Sequence, residues 1–158
     1  MKIEELMNRF PATCGPDDTL REAQQKMQGG NCEFLPVTDG RESQCLVGVI
    51  TDGDIRMAAQ LGGRSLEELR VRDAMAKEVY TCNAGDSLAE AEAIMQEAGI
   101  RRLPVLDESG RLLGVLSLTA VAYEAERESE ALNAQISAAQ FGSVASRVQE
   151  PQQADGSA

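Results

Sequence analysis

The sequence has 158 residues, 42% hydrophobic but only 3% aromatic, with no Trp and no His. That length suits one compact domain, or two small halves sharing an aliphatic core. A formal net charge of −11 opposes nonspecific binding to nucleic acid or to an anionic membrane surface, and the absence of His removes most Ser-His and Cys-His nucleophile schemes.

No apolar run approaches the roughly 18 residues a bilayer span needs. The start, Met1-Lys2-Ile3-Glu4-Glu5, lacks the apolar stretch of a signal peptide, so a cytoplasmic location is expected. Cys14, Cys32, Cys45 and Cys82 form no C-x-x-C pair. They read as reduced, mostly buried thiols, and no metal site is expected.

The chain opens with a short segment ending in Met7, followed by an extended stretch near Ala12 to Cys14. Asp18-Thr19-Leu20 places a capping residue before a helix, with Glu22 at capping-box spacing. Leu20, Ala23 and Met27 recur at helical period, and Gly29-Gly30 ends the run. Two strands follow, Phe34 to Val37 and Cys45 to Ile50, joined as a hairpin by a turn at Asp39-Gly40. A second helix is expected over Asp52 to Leu61, and Gly62-Gly63 leads out of it.

The same series then repeats. At a constant spacing of 68 residues, Met7 matches Met75, Thr13-Cys14 matches Thr81-Cys82, and Leu35-Pro36-Val37 matches Leu103-Pro104-Val105. At a spacing of 66, Gly48-Val49-Ile50-Thr51 matches Gly114-Val115-Leu116-Ser117. An internal repeat changes the unit being folded. Each unit reads β-α-β-β-α with a short leading segment, at 1–65 and 66–125. A helical extension is expected over 126–141 and a disordered polar tail over 142–158. One such unit has too little surface for a secure core. Two packed together leave two equivalent clefts, where a ligand would sit.

The strand-to-helix junction Gly48-Val49-Ile50-Thr51-Asp52-Gly53-Asp54 sets a hydroxyl and a carboxylate at a helix start. Thr51 and Asp54 there could accept a ribose, or simply cap the helix. Arg101-Arg102 open the strand of the second copy. Forked guanidinium donors suit phosphate, though two adjacent arginines also occur as ordinary solvated pairs. In a strand one would face the cleft and the other rim it.

The repeated G-h-h-[ST] junction, the Leu-Pro-Val strand, the leading segment ending in Met and the Asp-[Thr/Ser]-Leu helix start resemble the CBS domain over roughly residues 1 to 125. Two tandem copies form a Bateman module, here one resembling a stand-alone CBS-domain protein. The resemblance implies an α/β (α+β) fold with pseudo-twofold symmetry and clefts that take AMP, ADP, ATP or S-adenosylmethionine. No further cofactor is required, and the role is regulatory rather than catalytic. It assigns ribose to Thr51 and Asp54 and phosphate to Arg101 and Arg102. It places adenine near Val49 and the stretch Val79, Tyr80 and Thr81, with Gly53 and Pro104 beside them. It also implies a homodimer and a regulated protein partner, with no nucleic acid and no membrane. A ligand-free dimerisation module acting through the C-terminal helix is the alternative.

The second cleft departs from the pattern. Ser117 remains, but Ala120 replaces the ribose-binding Asp. Glu33, before Phe34, takes the place of a phosphate-binding arginine. A carboxylate about 4 Å from a phosphate charge repels it by about 4 kcal/mol at an effective dielectric of about 20. One competent cleft is therefore expected.

Overall fold

The computed structural model describes residues 2–146. The first half runs α1 (Ile3–Leu6), α2 (Leu20–Gly29), β1 (Phe34–Thr38), β2 (Leu46–Thr51) and α3 (Asp52–Gly62). The second half repeats it as α4 (Val71–Ala74), β3 (Cys82–Asn83), α5 (Leu88–Ala98), β4 (Arg102–Leu106), β5 (Leu112–Ser117) and α6 (Leu118–Ser146). The fold is mixed α+β, as the sequence predicts. α6 includes 142–146, Gly-Ser-Val-Ala-Ser, which had been expected in the tail; the helix runs through Gly142 despite that residue's low helix propensity. The rest of that expected tail lies outside the described residues.

Local chemistry sets the helix starts. Thr19 Oγ1 accepts from the Glu22 amide at 3.1 Å, and the Glu22 carboxylate accepts from the Thr19 amide at 2.9 Å, a complete capping box. At α5, Ser87 Oγ accepts from the Glu90 amide at 3.1 Å, while the Glu90 carboxylate returns no bond among the described residues.

Each Leu-Pro-Val strand forms an antiparallel hairpin with the strand after it. Phe34 pairs with Thr51, and Arg102 pairs with Ser117 in the same register. β3 adds a parallel edge at Cys82 and Val105. In the first half that edge shrinks to one bridge, Cys14 to Val37.

The halves do more than pack; they exchange segments. Ile3 of α1 is buried with Cys82, Met95, Leu103 and Leu116 in the second core, where Met7 also packs. Leu69 and Val71 are buried with Leu20, Leu35 and Ile50 in the first core, where Met75 packs. Backbone bonds seal each exchange. The Val49 amide donates to the Ala76 carbonyl at 3.0 Å, and the Val49 carbonyl accepts from the Ala76 amide at 2.9 Å; Asn8 and Val115 exchange the same pair of bonds at 2.9 and 3.0 Å.

This seam explains why Gly and Met recur together. A Cβ on Gly48 would lie 2.7 Å from the Ala76 carbonyl oxygen and 2.9 Å from Met75 Sδ. A Cβ on Gly114 would lie 2.5 Å from the Asn8 oxygen and 2.9 Å from Met7 Sδ. The leading segment of one repeat lies on the strand glycine of the other, and no larger residue leaves it room.

Cys14 and Cys82 sit at equivalent buried positions, and burial pushes both thiols up to about 12, with Asp18 and Asp86 respectively adding to the rise. They act as small core hydrophobes. Cys32 and Cys45 are half-buried.

Candidate functional site

A cavity of about 610 Å³ opens between the repeats. Its first-repeat wall is the β2–α3 junction, with Val49, Thr51, Asp52, Gly53 and Arg56. Its second-repeat wall brings Val79 and Tyr80, from the loop after α4, to Arg101, Arg102 and Pro104 of the β4 entry. The exchanged Val49–Ala76 bridge joins the two walls, which is why residues so far apart in sequence converge.

Of the expected site residues, Val49, Thr51, Gly53, Val79, Tyr80, Arg101, Arg102 and Pro104 line this cleft. Asp54 and Thr81 do not. Asp54 turns back on its own helix: its Oδ2 accepts from the Thr51 amide at 2.9 Å, and its amide donates to Thr51 Oγ1 at 3.2 Å. The cap that the sequence left as an alternative is therefore formed. Asp54 lines a shallow groove with Met57, Leu61 and Asp73 instead. Thr81 sits at the entry to β3, and Tyr80 before it holds the cleft wall with 59% of its surface exposed.

Arg101 and Arg102 both line the cleft, Arg101 exposed and Arg102 half-buried at the start of β4. The Arg101 carbonyl accepts from the Leu118 amide at 2.8 Å.

The second cleft, about 550 Å³, is lined by Ser117 and Ala120 against Met7, Phe10, Pro11 and Cys32. Phe34 and Arg102 line both clefts. Glu33 is the clear correction. It lines the first cleft and not the second. Its carbonyl accepts from the Asp52 amide at 3.0 Å, so the hairpin ladder continues past Phe34 and holds Glu33 beside the α3 start of its own repeat. Among the described residues no carboxylate lines the second cleft.

Sequence reasoning passed over Arg56 and Glu78 as cleft residues. Arg56 was legible as the i+4 partner of Asp52, and its Nη2 lies 3.7 Å from Asp52 Oδ2. Glu78 carried no signal of its own; it reaches the site because its loop follows the exchanged Ala76. Among the described residues no cluster of three or more His, Cys, Asp or Glu side chains is placed to hold a metal. No described helix is long and apolar enough to cross a membrane.

The sequence model of the CBS domain matches residues 3–60 and again 71–126. The chain belongs to the CBS domain family, as a tandem pair. It is similar to the CBS domain-containing protein YhcV of Bacillus subtilis, 32% identical over 116 residues that cover 73% of this chain and 79% of that one. A homoserine O-acetyltransferase of Methanocorpusculum labreanum is 33% identical over 117 residues, 74% of this chain but 23% of that protein. The chain spans between 22% and 59% of the length of this and other matched proteins. Among solved structures, Arabidopsis thaliana CBSX2 in complex with AMP matches with a TM-score of 0.69 at 23% identity, over 81% of this chain and 98% of that one.

Proposed function

We propose that the chain is a non-catalytic regulatory module that binds one adenosine ligand in the first cleft, with the repeats at 1–65 and 66–125 as its moving halves. One observation carries this reading. A hydroxyl-bearing helix start, two arginines with no ion pair among the described residues and an apolar wall of Val49, Val79, Tyr80 and Pro104 converge on one cavity. Adenine lies against the apolar wall and phosphate against Arg101 and Arg102. Ribose meets the Thr51–Gly53 turn, where Thr51 keeps its O–H to donate. Asp54 Oδ1, one residue past that turn, accepts no hydrogen bond among the described residues and remains open as an acceptor. The AMP complex of the structurally similar CBSX2 supports an adenosine ligand. A ligand that bridges the halves shifts their arrangement to the extent that it binds one arrangement better. That shift is the signal passed to a protein partner in the cytoplasm.

Isothermal titration with AMP, ATP and S-adenosylmethionine tests this directly. Binding at about one ligand per chain is the expected result. A stoichiometry near two overturns the single-cleft reading, and no binding by any adenosine compound overturns the sensor.

The second reading is a ligand-free homodimerisation module acting through α6. Leu132 and Ile136 favour it: they lie one helical turn apart and are 56% and 44% exposed. Truncation after Tyr123 would then convert a dimer to a monomer in light scattering; an unchanged mass refutes it.

A further inference from the structure

We propose that the first cleft selects its adenosine ligand by charge, taking one phosphate and discriminating against three, with Glu33 as the residue that sets the limit. This rests on the nucleotide-binding reading above and specifies the ligand class for that site.

Six charged side chains line the cleft: Glu33, Asp52, Glu78, Arg56, Arg101 and Arg102. Their formal charges cancel. Asp52 and Arg56 occupy one another at 3.7 Å, and none of the other four enters an ion pair among the described residues. Arg101 and Arg102 are thus the cations available to a ligand. A phosphomonoester carries about two negative charges near neutral pH, so a monophosphate matches them. Each further phosphoryl group adds negative charge that no third cation meets.

The direction a longer phosphate chain would take makes the mismatch worse. Beside Arg102 the cleft adjoins a recess of about 440 Å³ that shares Glu33, Asp52 and Arg102 with it. Its other walls are Gln24, Met27, Gln28, Asn31 and Cys32. Among the described residues Arg102 is its only cationic lining residue. A chain passing Arg102 into this space meets the Glu33 and Asp52 carboxylates, and Asp52 is already paired. Glu33 is exposed and has no ion pair among the described residues, and its backbone is pinned to Asp52, so it cannot withdraw with its strand. Like charges placed together at a binding site are a device for rejecting the wrong ligand.

The test is calorimetric titration of the full chain with adenosine, AMP, ADP and ATP. Fixed ionic strength and EDTA ensure that no divalent ion bridges carboxylate and phosphate. AMP binds tightest, and ATP binds about tenfold or more weakly. Glu33→Gln strengthens ATP more than AMP and narrows the ratio by about fivefold, and Glu33→Lys reverses the preference. Circular dichroism verifies that both variants remain folded. Wild-type protein that binds ATP as tightly as AMP overturns the charge limit while leaving the nucleotide site standing. A ratio unchanged in both variants overturns the role of Glu33. Failure of all four ligands to bind overturns the nucleotide reading itself, and the selectivity with it.

Discussion

At the helix start beside the first cleft, Thr51 and Asp54 exchange hydrogen bonds in a closed cap. At the equivalent place beside the second, Ser117 Oγ accepts from the Ala120 amide at 3.1 Å, and Ala120 has no side chain to answer. The contrast continues around each wall. Tyr80 of the first cleft corresponds to Ala12 of the second, Arg102 to Phe34, and Arg56 to Ala122. The backbone frame is common to both, down to the Gly–Met contact at each seam. What differs is the side chains the frame presents. Duplication made two rooms of similar size, and substitution made only one of them polar at the right places.

The seam gives the largest expected effect. Gly48→Ala and Gly114→Ala each force a methyl against a backbone oxygen and a Met side chain. Overpacking of this kind costs about 1–3 kcal/mol, read as a lower urea midpoint with unchanged slope. The loss is similar in the two variants, because the seams are equivalent. Only Gly48→Ala also weakens AMP binding, because the Val49–Ala76 seam borders the first cleft. Two variants that affect AMP alike would break the comparison.

Next comes Arg102→Ala. Hydrogen bonds to charged groups contribute about 1.5–3 kcal/mol, so AMP affinity falls by about 10- to 100-fold. Adenosine, which has no phosphate, changes far less. Equal losses for the two ligands would place phosphate elsewhere.

The caps come third. Asp54→Ala removes the returning arm of the capping box, leaves the Thr51 N-cap in place and costs about 0.5 kcal/mol in thermal or chemical denaturation. Ala120→Asp supplies the missing partner and stabilises by about 0.5 kcal/mol. A neutral Ala120→Asp would show that the open cap at Ser117 is not the deficit it looks like.

The smallest effect separates α2 from α5 by pH. Bonds from the Thr19 amide and hydroxyl hold the Glu22 carboxyl below its ordinary 4.5. A group depressed in the folded state contributes stability above its unfolded value and loses it as pH falls through the folded one. Acidification below about pH 4.5 therefore loosens the start of α2, while at α5 the Glu90 carboxylate makes no such cap bond among the described residues that could be lost. Amide hydrogen exchange down a pH series reads it. Equal loosening at both helices would refute the difference.

Much of the fold was legible because it is periodic and local. Leu20, Ala23 and Met27 mark one helix face, Asp39-Gly40 marks a turn, and Thr19 with Glu22 marks a helix start. Each acts within a few residues of itself. The repeat doubled every such signal. The site was legible in part for the same reason: Thr51 and Gly53 sit on a junction, and Arg101-Arg102 on a strand entry, both recognisable by position. Asp54, Thr81 and Glu33 were misplaced because their location depends on where a side chain lies once the ladder is formed. For Glu33 that is decided by one rung, the Asp52 amide on the Glu33 carbonyl.

By itself, then, the sequence determined the repeat, the helix-hairpin-helix series in each copy, the capped helix starts, the candidate junctions and the family the chain belongs to; the leading strand it expected in both copies is a strand only in the second. These follow from spacing and from residue chemistry that works at short range. Tertiary structure alone decided that α1 belongs to the second core and Leu69 with α4 to the first, because exchange is a matter of contacts between distant segments. It alone set Glu33 beside Arg102 on the first cleft, since strand register, unlike strand propensity, exists only when two strands are paired. It also left the second cleft without a carboxylate among its lining residues. That moves the expected repulsion of phosphate from the cleft where the alignment had put it to the one where the ligand is proposed to bind.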